Sequence, residues 1–488
     1  MSLGFQAAGF VRGLIGKSVF LIIFLGLLLA ASFVLPPAVF ERVYPVSGPE
    51  SPEPEYRGFS VTVGPGGNFS TISEALDSSP ENYAVVVLPG TYRENLRISG
   101  RTVLGFNATV LPENPYLPGI EITGNGRVSG LRLVFSNGTG SWVPGTSFVG
   151  VYVHDASGVR LEELEVEGYP TGVIVNRSSG ISLDRVLVRG TEWNGLLALD
   201  SSVSVRDSVF TGSEKAHGVA LLNSSGNFRN VTSSGNHGYG FYLENVRSGV
   251  FRSVSAFLNT FGFFIQDSAG NEILLSNLSF NRAENVRMEN SSGNRISSSY
   301  IGYSETENGI YLNESHRNSF VNLTVERNRW NGIHFNNSRG NFVSNSVIRG
   351  NEPAGIYLFN SPRTTITGSR LAENRWRGVF SVGSPGLVLE NSEVVKNPEG
   401  VYLEDSGNSS ITGNLIGDNP LYGVRIESSD RVRVTGNEIF GSRQNEWAAA
   451  VAVSLSKGVE VVGNILHSNS APSDIKESEV IWRDNGSA

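Results

Sequence analysis

Chemistry in this chain has to come from a small set of titratable and aromatic side chains that recur at fixed places around a repeated glycine. His334 is the best-placed general acid or base, because an imidazole changes charge near neutral pH. Glu244, Asp267 and Glu289 come from three successive repeat units, so their carboxylates can gather into an acid/base pair or a Ca²⁺ site. The plainer reading is that they are solvated strand-end acids. Two residues after the glycine stand Tyr242, Phe264, Tyr311, Tyr357, Phe380 and Tyr402, and Arg287, His334 and Arg425 fill the same place in other units. If the residues on either side of that place point inward, it points outward. A large aromatic surface turned to solvent is normally covered or used. Flat sugar faces stack on rings, so one ring per unit can track an extended glycan. Trp193, Trp330 and Trp376 each lie two residues before a glycine and can wall the same face. An exterior aromatic ladder that only stabilises the sheet accounts for the same residues, and the sequence leaves both readings open.

The repeat that positions these side chains is explicit. Glycine followed by an apolar, any, apolar pattern occurs at Gly172, Gly195, Gly218, Gly240 and Gly262, then at Gly309, Gly332, Gly355, Gly378, Gly400 and Gly423. Asn285 fills the missing place, and the spacing is 22 to 24 residues throughout. A strict period of this length marks a solenoid. Each unit alternates with period two, as in Gly309-Ile310-Tyr311-Leu312, which is the pattern of a strand. Short second strands follow, for example around Phe342-Val343 and Ile366. Leucine-rich repeats have similar length, but their leucine-studded consensus and helical half are absent. The expected fold is therefore all-β: a single-stranded parallel β-helix with coils about 4.8 Å apart. Asn236, Asn281, Asn328, Asn351, Asn374 and Asn419 sit four residues before the next coil start, and Asn259 and Asn397 sit three before. Stacked turn asparagines can hydrogen-bond to one another and to turn backbone, which makes them structural.

A formal net charge of −8 argues against nucleic acid as a partner, since that needs a basic surface. The absence of cysteine removes disulfides and thiolate metal sites. Arg12 and Lys17 precede the apolar run Ser18 to Leu35, which is followed by Pro36-Pro37. Eighteen residues at a helical rise span roughly 27 Å, enough for a transmembrane helix, and the positive-inside bias leaves the rest outside the cytoplasm. A cleaved signal peptide ending near Ala30-Ala31-Ser32 is the competing reading. The expected organisation is an anchor or signal segment (1–43), a Pro/Glu-rich stalk (44–57), the β-helix with its N-terminal cap (58–470) and a C-terminal cap or tail (471–488). Asn-X-Ser/Thr triplets such as those at Asn313 and Asn322 suit an exported glycoprotein.

The segment Val63-Gly64-Pro65-Gly66-Gly67-Asn68-Phe69-Ser70-Thr71-Ile72-Ser73-Glu74-Ala75-Leu76, followed by Pro89-Gly90-Thr91-Tyr92-Arg93-Glu94, resembles the opening of pectin-lyase-like proteins. Units such as Asn308-Gly309-Ile310-Tyr311-Leu312 are similar to the carbohydrate-binding and sugar-hydrolase repeats shared with NosD-type periplasmic proteins. The resemblance implies a right-handed β-helix with a helical N-terminal cap. It also implies a polysaccharide ligand, either bound only or processed by lyase, hydrolase or epimerase chemistry. The alternatives are a non-catalytic surface or adhesion solenoid and a NosD-like metal-delivery accessory protein. The paired aspartates of pectin methylesterases and the polygalacturonase signatures have no match here. Copper sites favour Cys and Met, of which this chain has none and two, and its six histidines are scattered. Gly64 to Gly67 lacks a following Lys-Ser or Lys-Thr and reads as a turn.

Overall fold

A computed structural model describes residues 58–135 and 148–486. The expected anchor and stalk, residues 1–57, lie outside the described residues. Among the described residues no helix is long and apolar enough to cross a membrane.

The fold opens with the strand Ser60–Val63 and the short helix Ile72–Ser78. Thr71 caps that helix by accepting from the Glu74 N–H at 3.2 Å. The Glu94 carboxylate accepts from the N–H groups of Ile72 and Ser73, each at 2.8 Å. Both side chains satisfy donors that a helix start leaves unpaired. Ile72, Ala75 and Leu76 are buried against the first strands, so the helix closes that end of the core, as the resemblance implied.

Beyond the cap, each strand pairs in parallel with its counterpart one coil away. Phe241, Phe263, Val286, Ile310 and Ile333 are successive register partners. The chain is thus an all-β parallel solenoid of right-handed type, the hand that parallel crossover connections take. Three strands per coil make three faces. The first contains Thr171–Asn176, Tyr239–Glu244 and Ile310–Asn313. The second contains Ile181–Asp184 and Val250–Arg252, and the third Leu187–Arg189 and Ser255–Phe257. One left-handed residue per coil bends the second face into the third, as at Asp207 (φ 49°), Asn230 (φ 53°) and Ser253 (φ 53°). Inward positions fill a continuous apolar core, including the stacked pairs Phe228–Phe251 and Phe241–Phe263. Coil stacking continues through Ala471–Lys476 and Val480–Arg483.

The turn between the third and first faces carries the expected asparagine ladder. Asn236 donates to Asn259 at 2.8 Å, Asn259 to Asn281 at 3.2 Å, and Asn328, Asn351, Asn374 and Asn397 each donate to the next. Each amide also receives a backbone N–H from the coil before, as Asn374 does from Asn351 at 3.1 Å. From Gly218 to Gly400 the ladder asparagines, joined from Gly240 on by the backbone of the next coil, crowd the coil-start glycines. A Cβ on Gly355 would stand 2.8 Å from the Asn374 Nδ2 and 2.8 Å from the Gly378 carbonyl oxygen, closer than side chains tolerate.

The coil start at Asn285 shows the same crowding from the other side. In the coil that starts at Asn285, the ladder position is Ser304, which leaves space beside the coil start. The Asn285 amide enters that space, accepting from Asn281 at 2.8 Å and donating to Asn328 at 3.1 Å. One asparagine has moved across the coil and the ladder remains unbroken.

Gly355→Asn alone should therefore destabilise the protein strongly. Adding Asn374→Ser, which reproduces the Asn285/Ser304 combination, should restore part of the loss. A coupling of about 1 kcal/mol or more is expected from a double-mutant cycle in denaturant, and strict additivity would contradict the shared-space account.

Candidate functional site

The outward column of the first face lines up as the glycine register requires. Tyr242, Phe264, Arg287, Tyr311, His334, Tyr357, Phe380, Tyr402 and Arg425 are consecutive register partners. Ring centroids are 5.7 Å apart for Tyr242–Phe264, 5.0 Å for Tyr357–Phe380 and 5.2 Å for Phe380–Tyr402, with interplanar angles of 13° to 20°. Near-parallel rings at that spacing lie face against face along the solenoid axis. Where the ladder runs without interruption, its rings cover one another's faces, and edges and hydroxyls are what they present outward.

Arg287 and Arg425 fill places in the column where a ring is missing, and Arg377 reaches the rings from just before its coil start. The Arg287 guanidinium lies 5.9 Å from the Phe264 centroid and 5.2 Å from that of Tyr311. Arg377 lies 4.1 Å from Phe380 and 4.8 Å from Tyr402, and Arg425 lies 4.5 Å from Tyr402. These are cation–π distances. The buried Glu399 joins the two arginines, 2.6 Å from Arg377 and 3.6 Å from Arg425. Glu284, also buried, stands 3.7 Å from Arg287, and desolvation pushes its carboxyl above the ordinary carboxylate range. Sequence reasoning missed Arg377, Glu399 and Glu284. The signal was available, since each occupies the position just before a coil start, a second outward column on the same face.

The three acids singled out from sequence do not share one column. Glu244 and Glu289 are aligned with Gln266 between them, whereas Asp267 lies one residue further on, in the turn (φ 50°). Each is engaged: Glu244 accepts from the Tyr242 hydroxyl at 2.7 Å, Glu289 pairs with Arg287 at 2.6 Å, and Asp267 accepts from the Asn290 amide at 2.6 Å. The Tyr402 hydroxyl bonds to Glu427 in the same way, at 2.8 Å. Among the described residues no group of three or more His, Asp or Glu side chains is arranged to hold a metal ion.

His334 sits in the ladder between Tyr311 (5.1 Å, edge-on) and Tyr357 (4.7 Å). Both ring nitrogens are covered and neither has a hydrogen-bond partner. Burial pulls its pKa down to about 4, so the ring is neutral at pH 7. His217, stacked at 4.8 Å on Tyr239 and accepting from the Tyr239 N–H at 3.2 Å, is lowered to about 4 for the same reason.

The tryptophans belong to the turn between the third and first faces. Trp330 and Trp376 are 51% and 50% exposed, and they stand in equivalent positions two coils apart, roughly 9.6 Å along the axis. An arginine precedes each, and Glu352 in the coil between pairs with both: 2.6 Å to Arg375 and 3.7 Å to Arg329. The Arg377 guanidinium, 5.5 Å from the Trp376 ring, links that indole to the ladder. Trp193 lies six coils before Trp330, roughly 29 Å away, with the Lys215 ammonium 5.5 Å over its ring. The structure therefore brings two of the three tryptophans together.

The family described as periplasmic copper-binding protein (NosD) matches residues 119–299 and 268–452. No curated protein matches the chain. Among solved structures, the periplasmic alginate epimerase AlgG is similar at 14% identity over 84% of this chain and 83% of that one, with a TM-score of 0.29. The Agl-KA catalytic domain is similar at 12% identity over 89% and 70%, with a TM-score of 0.33. The A-module of the Azotobacter vinelandii mannuronan C-5 epimerase AlgE6 is similar at 14% identity over 86% and 94%, with a TM-score of 0.26.

An imidazole whose pKa is lowered by folding stabilises the native state fully above its unfolded value, near 6.5, and loses that contribution as pH falls toward 4. His334→Phe keeps a ring in the ladder and removes the proton site. Melting curves should show its stability at pH 7 retained and the acid-side loss between pH 6.5 and 4 reduced, by on the order of 3 kcal/mol at about 1.4 kcal/mol per pKa unit.

Proposed function

The chain belongs to the family described as periplasmic copper-binding protein (NosD), and we propose that this member is an exported solenoid that binds a polysaccharide along the edge of its first face. The observation that carries the reading is the pair Trp330 and Trp376. They are half-exposed indoles in equivalent turns, two coils apart, each beside an exposed arginine. Two coils span about the length of two sugar residues in an extended chain, roughly 9.6 Å. An indole face offers a flat apolar platform to a sugar ring, and neighbouring guanidiniums supply hydrogen-bond donors for its oxygens. The tyrosine–carboxylate pairs Tyr242–Glu244 and Tyr402–Glu427 lie on coils to either side of the platform, whose own strand ends are Asn336, Phe359 and Val382.

The reading is of a binding protein. Its support is that Glu244, Glu289 and Glu427 are already bonded to a tyrosine or an arginine, and that the nitrogens of His334 are covered. Residues 1–43 would hold the solenoid at the outer side of a membrane, in keeping with the charge order of Arg12, Lys17 and the apolar run that follows.

Copper does not fit the residues present. There is no cysteine, and Met288 is fully buried in the core. The histidines are used one by one: His154 between Glu121 and Asp155, His237 on the Glu214 carbonyl, His316 accepting from the Arg339 N–H, and His467 on Glu438. No step in this reading passes through a metal.

The test is a glycan array with the full chain, paired with a product assay on the polymers it retains. Trp330→Ala and Trp376→Ala should each weaken retention roughly tenfold, as loss of an aromatic anchor does, with no product released. Unchanged retention in the double variant would sink the proposal, and turnover would reassign the protein as an enzyme.

A further inference from the structure

On the second face one outward column carries Glu162, Asp184, Arg206, Arg229, Arg252 and Leu274 as register partners. Arg206 is paired with Asp184 at 2.8 Å. Arg229 and Arg252 are exposed, and neither guanidinium has a hydrogen-bond or ion-pair partner among the described residues. The nearby acids serve other partners or stand apart: Asp184 pairs with Arg206 and Arg185, Asp207 accepts from Asn230 at 2.6 Å and lies 3.5 Å from Arg206, and Glu272 makes no ion pair. Three arginines therefore stand in successive coils, about 4.8 Å apart at the backbone, and the charges of two of them, Arg229 and Arg252, are met by no acid among the described residues.

Like charges directly opposite one another destabilise a sheet. The ladders in the turns fix the register, so this row cannot slip to relieve itself. A chain with more acids than bases, 46 against 38, has ample means to place a carboxylate there. We propose that Arg206, Arg229 and Arg252 form a binding row for an anionic polysaccharide whose sulfate or carboxylate groups recur at about the coil spacing. Each anion would bridge adjacent guanidiniums, whose planar forks match such groups with paired hydrogen bonds. The row lies on a different face from Trp330 and Trp376 and does not depend on them. A linear polymer is favoured because the arginines form a single file along the axis.

The proposal separates binding from stability. Arg229→Glu places a carboxylate between two guanidiniums, which replaces repulsion with attraction. It should raise the melting temperature while lowering affinity for dextran sulfate at least tenfold. Uncharged dextran should show no binding that depends on Arg229. Arg252→Gln should weaken dextran sulfate binding with little change in melting temperature, and raised salt should weaken it in the natural chain. Dextran sulfate affinity unchanged in Arg229→Glu would overturn the proposal, as would binding lost together with a lowered melting temperature in both variants. Affinity that falls in Trp330→Ala/Trp376→Ala but not in Arg229→Glu would assign the polymer to the tryptophan platform and remove the row. Arg229-dependent binding to phosphatidylglycerol vesicles without binding to dextran sulfate would replace the polymer with a membrane surface.

Discussion

The constraint on which everything else depends is the buried turn. A parallel solenoid takes its chain inside at every corner, where backbone N–H groups lose water and must find partners. Here the partner is in most turns the coil next door. Asparagines do this between the third and first faces, and serines and asparagines do it between the first and second, as in Ser268–Ser291–Ser315 and Asn271–Asn294–Asn318. A third set, Asn414, Asn437 and Asn464, continues the row of Ser346, Ser369 and Ser392. A ladder residue moved out of place would leave its turn unpaired, at about 1–3 kcal/mol for each buried group. Extra residues are accepted where they lie between ladder positions, as in the coil that separates Asn437 from Asn464 by 27 residues and keeps both of their hydrogen bonds.

The same register decides what the outside can do. Side chains at equivalent positions are brought to within one strand spacing of each other, so a column of rings becomes a stack and a column of mixed charges becomes a chain of ion pairs. On the first face the rings satisfy one another and the guanidiniums occupy the gaps. Tyr402 is nearly buried although it points away from the core, because Phe380, Arg377 and Arg425 surround it. Surface left open to a ligand must lie where stacking stops: at turns such as those of Trp330 and Trp376, or at columns whose charges do not cancel.

The family description names copper, yet the histidines of this solenoid are dispersed over separate coils, and among the described residues no three His, Asp or Glu side chains are grouped to hold a metal ion. The coil architecture is what membership establishes, and coils of this kind accept any outward residue that does not disturb the ladders. Function can therefore diverge on the outer columns while the inner ones stay fixed.

The helical cap was legible only through the family resemblance of the segment from Val63 to Glu94. The sequence by itself determined the period, the parallel stacking and the structural role of the turn asparagines, which follow from one-dimensional spacing, because closing a coil requires the same residue types at the same intervals. It also placed Tyr242 through Arg425 in one column. Only the tertiary structure decided that the ring faces in that column are turned toward each other, that both nitrogens of His334 are covered, and that Glu244, Asp267 and Glu289 each bond to a separate partner. It also revealed Arg377 with Glu399, and the exchange of places between Asn285 and Ser304. Those outcomes depend on side-chain direction and on contacts between coils that differ by an ångström or less, and such distances are fixed by packing between neighbours and not by spacing along the chain.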